Sequence, residues 1–231
     1  MTVTYLGHSG FLLETDGALF LFDYYTGKIP ALNPDKPLYV FVSHAHHDHY
    51  SQNIWSLQKS HPSVRYILSD DIPKHSIHAQ AKGQILWTGA GETHHLAEET
   101  TVWTLLSTDE GVAFIVHHSG QNFFHAGDLN FWSWPGDSEA ANRDRHRRFM
   151  AEMEKIRGME FDVAFFPLDP RQEEDCGKGL SIFQETAQAK ALFPMHFWGK
   201  YGIIDHYKRT HPNDSDNIIK ILDEGQEFEL K

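Results

Sequence analysis

Residues 44–49 read His44-Ala45-His46-His47-Asp48-His49, and they follow the unbroken apolar run Leu38-Tyr39-Val40-Phe41-Val42 and then Ser43. An apolar run of this length that stops at a polar loop predicts a strand covered on both faces, which places the histidines at a strand's C-terminal end. Four imidazoles and a carboxylate within six residues would repel one another on protonation unless something holds them in their neutral or anionic forms. A divalent metal does so, and imidazole nitrogen with carboxylate oxygen suits zinc, iron or manganese. A polar loop that is merely histidine-rich is the plainer alternative.

Upstream, Val3–Leu6, Phe11–Thr15 and Ala18–Asp23 read as strands, the last two joined by the Asp16-Gly17 turn of a tight hairpin. Downstream, a helix over Asn53–Lys59 precedes strand candidates at Val64–Leu68, Gln84–Trp87, Val102–Leu106, Val112–His117 and Asn122–His125. The pattern then turns helical from Ser138 to Arg157, with Phe149, Met150, Met153 and Ile156 on one face, and returns to a buried strand at Phe161–Phe166, ended by Pro167. A capping-box pattern at Ser181 and Gln184 predicts a helix from Ser181 to about Leu192, its face carrying Phe183, Ala187 and Ala191. A last helix is expected after Asp216, through Ile218, Ile219 and Leu222, before a strand at Glu227–Leu230. No repeat or linker interrupts the chain. Residues 1–231 therefore read as one α+β domain, two sheets with helices on their outer faces.

Composition narrows the function. Of 231 residues, 40% are hydrophobic and 23% charged, ordinary values for a globular protein. Acidic residues outnumber basic ones 32 to 20, so no nucleic-acid partner is expected. The longest apolar runs, Ala18–Phe22, Leu38–Val42 and Val112–Val116, are far too short to span a bilayer, so no membrane association is expected. One cysteine, Cys176, and an N-terminus without a secretory layout point to a reducing, cytoplasmic protein. Histidine is the outlier at 17 residues, and imidazole is the commonest metal ligand.

The H-x-H-x-D-H string resembles the signature of the metallo-β-lactamase superfamily. The likeness extends in order along the chain: Tyr5-Leu6-Gly7-His8-Ser9-Gly10 and Phe20-Leu21-Phe22-Asp23 resemble its opening strands, His125-Ala126-Gly127-Asp128 its later G-D motif, and Pro194-Met195-His196 its last ligand motif. The resemblance implies an αβ/βα four-layer sandwich with the motifs at one edge. It implies that His44 and His46 bind one metal, that Asp48, His49 and His196 bind a second, and that Asp128 bridges them. Asp23 matches a residue that braces the ligand loop by hydrogen bonds, and His8 occupies a glycine-flanked turn near the centre. One departure stands out: the family usually supplies a further histidine from the loop that here reads Leu106-Ser107-Thr108-Asp109-Glu110-Gly111. Water or Asp109 completes the first site, or only the second site fills, or another histidine substitutes. For His94, His95, His117 and His118 a surface role is the better expectation.

The chemistry implied is hydrolysis. A metal-bound water ionises near neutral pH, and Asp48 and His8 are the candidate catalytic residues beside it. The expected substrate is a small ester, lactone or phosphodiester, with one or two zinc ions per chain, or manganese or iron. The alternative is a metal-binding member without hydrolytic activity, or a redox member. Trp132, Trp134 and Arg143 are candidate substrate contacts, because the aromatic segment after Asp128 could wall a pocket and Arg143, Arg145, Arg147 and Arg148 form a local basic patch. The plainer readings are aromatics packed onto the core and a solvated helix face.

Overall fold

The computed structural model describes residues 1–74, 77, 84–212 and 215–230. The chain divides into two compact units, Met1–Gly89 with Leu222–Lys231, and Ala90–Ile221.

The first unit is built on a seven-stranded sheet of β1 (Thr2–Gly7), β2 (Gly10–Glu14), β3 (Leu19–Phe22), β4 (Leu38–Val42), β5 (Val64–Ser69), β6 (Ile85–Thr88) and β13 (Glu227–Glu229). Its order is β13-β1-β2-β3-β4-β5-β6. From β13 to β3 the pairings are antiparallel, and from β3 to β6 they are parallel. β4 is buried along its whole length, as its apolar sequence requires. Gln52–Ser56, a 3-10 turn, runs into α1 (Leu57–Ser60) and seats Ile54, Trp55 and Leu57 in this unit's core.

In the second unit β7 (Thr93–Ala97), β8 (Thr100–Leu106), β9 (Val112–His118), β10 (Gln121–His125), β11 (Glu160–Pro167) and β12 (Gln188–Met195) form a sheet ordered β12-β11-β10-β9-β8-β7. Here β10, β11 and β12 are parallel and the rest antiparallel. The helices are α2 (Glu139–Lys155), α3 (Lys178–Thr186) and α4 (Gly202–Thr210). α2 begins where the sequence indicates, with Ser138 Oγ accepting from the Ala141 amide.

Two expectations are corrected. The Ser181–Leu192 helix is instead α3, which starts at Lys178, ends at Thr186 and gives way to β12. Ser181 lies inside that helix, its hydroxyl donating to the Gly177 carbonyl, and a short apolar run such as Ala191–Met195 satisfies either periodicity until its partner strand decides. The expected helix through Ile218 and Ile219 is also absent. That segment lies along β12, bridging Leu192 with Ile218, while the Ile219 amide donates to the Leu192 carbonyl at 2.8 Å. The helix of this region is α4, with Ile204 and Tyr207 as its buried residues.

Candidate metal centre

In each unit the candidate residues gather where parallel strands end. β1, β3 and β4 run in one direction, and His8, Asp23 and the 44–49 segment follow their C-termini. β10, β11 and β12 likewise share a direction, and Asp128, Asp169 and His196 follow them. The backbone is held in the left-handed region at His8 (φ 52°), Asp23 (φ 42°) and His196 (φ 64°), a cost that tertiary contacts must offset.

In the first unit one donor atom each from His8, Asp48 and His49 lies within 4.8 Å of the others, and His44 and His46 form a second such pair. The side chain of His47, between them, is 89% exposed and turns away. Asp23 is fully buried and accepts three hydrogen bonds, from the Ser43 amide (2.7 Å), the Ser43 hydroxyl (2.6 Å) and His49 Nδ1 (2.7 Å). That arrangement fixes two tautomers. His49 Nδ1 carries the proton given to Asp23. The single proton of Ser43 goes to Asp23, so at its 2.9 Å contact with His44 the serine oxygen accepts from Nδ1. Both rings therefore present Nε2 as a lone-pair donor, the form a metal ligand needs. Burial pushes the Asp48 carboxyl up, but the adjacent His8, its Nε2 3.3 Å away, and His49 outweigh it and hold the group well below the usual carboxylate range.

The second unit repeats the device. His196 Nδ1 donates to Asp169 Oδ2 at 2.9 Å, so Nε2 again carries the lone pair in the neutral ring. Nε2 faces Asp128 Oδ1 at 3.4 Å, and both groups are buried. Two acceptors at that distance repel unless a proton or a cation lies between them. Burial raises the Asp169 carboxyl, yet its bonds to His196 and to Arg171 bring it down to about 2. The Arg171 guanidinium in turn stands over the rings of Trp134 and Trp198. Asp169 escaped the sequence reading because it stands beyond the end of β11, after Leu168, with no motif to mark it.

The loop without the family's histidine has a different task. Thr108 is buried, and its hydroxyl donates to the Asn130 carbonyl at 2.6 Å and accepts from the Asn130 amide at 3.0 Å, bracing the turn that carries Asp128. Asp109 is exposed. His118, expected at the surface, is buried, with Nδ1 2.9 Å from the Thr100 hydroxyl, because β9 turns that side chain inward. His95 and His117 are exposed, as expected.

Trp132 is 2% exposed, donates its indole N–H to the Asp128 carbonyl at 2.8 Å and meets His196 edge-on, while Trp134 stacks on it. Trp134 and Arg143 line a cavity of about 410 Å³ together with His146 and Glu173. The four arginines of α2 are each paired with a carboxylate, Arg143 with Glu139, Arg145 with Asp137, and Arg147 and Arg148 with Asp144. Arg143 and Arg147 are largely exposed in these pairs, while Arg145 and Arg148 are partly buried.

A family model of the β-lactamase superfamily domain matches residues 2–134. A UPF0173 metal-dependent hydrolase of Opitutus terrae is 31% identical over 251 aligned positions that cover all of both chains. One from Carboxydothermus hydrogenoformans is 24% identical and covers 85% of this chain and 84% of its own. Among solved structures, the metallo hydrolase Igni18 of Ignicoccus hospitalis superposes with a TM-score of 0.62 at 19% identity, covering 100% of this chain and 99% of its own. The fold is thus α+β, of the metallo-β-lactamase type. The chain belongs to the metallo-β-lactamase superfamily and, within it, to the UPF0173 metal-dependent hydrolases. It is an enzyme, a metal-dependent hydrolase, and it carries histidine and aspartate clusters able to bind a metal. No helix among the described residues is long and apolar enough to cross a membrane.

Proposed function

We propose that residues 1–231 work as one functional domain that binds zinc. His44 and His46 would hold one ion, Asp48, His49 and His196 a second, and Asp128 would serve both. The observation that carries the metal assignment is the tautomer pattern: Ser43, Asp23 and Asp169 each accept or engage the Nδ1 of a histidine, so that His44, His49 and His196 offer Nε2. The donors are nitrogen and oxygen throughout, which suits zinc and leaves manganese or iron as outcomes of the test.

When bound, the metal supplies an acidified water and polarises a carbonyl or phosphoryl group. The chain's own residues do the rest. Asp48, kept ionised beside His8, orients the attacking water and accepts its proton, and His8 holds Asp48 in place. Asp23 and Asp169 fix the ligand rings. The substrate is a small ester, lactone or phosphodiester, with Trp134 and Arg143 at the wall of the neighbouring cavity and Trp132 behind them. A cytoplasmic setting fits a chain with one cysteine.

The test is elemental analysis of protein purified without added metal, alongside His196→Ala and Asp128→Ala, with hydrolysis of lactone, ester and phosphodiester probes. Two zinc ions per chain, lost together with hydrolysis in both variants, is the expected result. Folded protein without metal, or activity indifferent to both variants, overturns the reading.

A further inference from the structure

Tyr25 lies two residues beyond Asp23, in the turn that leaves β3. That turn is held at both ends. Asp23 is locked by Ser43 and His49, and the Tyr24 hydroxyl donates to the Gly27 carbonyl at 2.9 Å. Gly27 has φ +82°, and a Cβ there would sit 1.9 Å from the Leu6 carbonyl oxygen, so the turn is pressed against the end of β1 and only glycine allows it. The consequence is a fixed place for the ring between them. Tyr25 meets His8 edge-on, with centroids 6.0 Å apart, and His8 Nε2 is 3.3 Å from Asp48.

Tyr24 and Tyr25 are neighbours with different fates. The first closes the turn. The second is half-buried, and its hydroxyl has no hydrogen-bond partner among the described residues. A tyrosine phenol keeps its proton at neutral pH, so Tyr25 remains a donor. A protonated phenol whose ring packs on His8, one of the candidate catalytic pair, suits an oxygen that gains negative charge as the reaction proceeds.

We propose that the Tyr25 hydroxyl donates a hydrogen bond to the substrate oxygen on which negative charge develops, making Tyr25 a catalytic residue. The inference rests on the hydrolytic reading above. Its rival is a tyrosine that only packs on His8, and Tyr25→Phe separates the two, because the ring contact survives and the donor does not.

The experiment uses zinc-loaded native protein and Tyr25→Phe. Metal content is read by elemental analysis, affinity for inorganic phosphate by calorimetry, and turnover with p-nitrophenyl acetate, bis(p-nitrophenyl) phosphate and γ-butyrolactone. The expected result is unchanged metal content, phosphate bound about tenfold more weakly, and kcat about 10- to 100-fold lower with KM within about threefold. Unchanged phosphate affinity, a loss of metal in the variant, or native protein that binds no phosphate each overturns the proposal. Should the native protein hydrolyse none of the probes, the hydrolytic reading for those substrates fails, while the phosphate titration still decides the role of Tyr25.

Discussion

The imidazole of His196 and the carboxylate of Asp169 are joined at 2.9 Å, and the same oxygen of Asp169 is also shared with Arg171 at 2.5 Å. The strand after which Asp169 stands, β11, lies beside the strand that delivers His196, in register Pro167 against Met195. Asp23 stands to β4 and His49 as Asp169 stands to β12 and His196.

Replacing Asp169 with Asn leaves a side chain of the same shape without the charge that orients and enriches the ring. Zinc affinity is expected to fall about 10- to 100-fold with the fold retained. Competition titration against a chromophoric chelator measures it, and affinity equal to the native protein's contradicts the role given to Asp169.

Asp23→Ala acts on the fold as well as on the metal. It strands the Ser43 amide, the Ser43 hydroxyl and the His49 ring, all buried, without their acceptor. A loss of about 3 kcal/mol or more is expected in urea unfolding of the metal-free protein.

At Gly179 in α3 an added Cβ would lie 1.8 Å from Asn130 Oδ1 and 3.1 Å from the Phe131 amide nitrogen. Asn130 is tied to Thr108 and Gln172 and cannot withdraw cheaply. Gly179→Ala is therefore expected to destabilise by about 1–3 kcal/mol and to lower metal content, because the displaced turn is the one that begins at Asp128. Thermal melts with elemental analysis report both effects, and full metal content would detach this turn from the centre.

In metal-free protein the Asp169 carboxyl is lowered from 3.8 to about 2. A depressed native value contributes stability that is complete above the unfolded value and disappears as pH falls through the folded one. The contribution of Asp169, about 2 kcal/mol, is thus present above pH 4 and lost towards pH 2. Urea unfolding at pH 6 and pH 3 should show a smaller acid loss in Asp169→Asn than in the native chain.

Zinc itself should stabilise. A thousandfold excess over its dissociation constant adds about 4 kcal/mol, so chelation is expected to lower the melting temperature and zinc to restore it. A melt indifferent to chelator would mean that the donors bind no ion.

Much of the fold and the site was legible because the decisive signals are local. An apolar run followed by H-x-H-x-D-H states both a buried strand and a donor set within a dozen residues, and Asp16-Gly17 states a hairpin. What escaped depends on distant partners. Thr93–Ala97 is polar in composition and is a strand only because β8 pairs with it. Ser181 carries a helix-start pattern that Gly177 and Lys178 pre-empt. Asp169 carries no motif, and its role comes from standing next to a histidine 27 residues away.

β12 is the outermost strand of its sheet, with the backbone row on its open side unmatched by any further strand among the described residues. The extended segment at Asn217–Ile219 lies there instead, its hydrogen bonds running to Leu192 and Ala189. It works as a guard rail. Without it, β12 would present an open edge of parallel strand on which another chain could add, so this edge is covered by a few residues that contain no part of the catalytic apparatus.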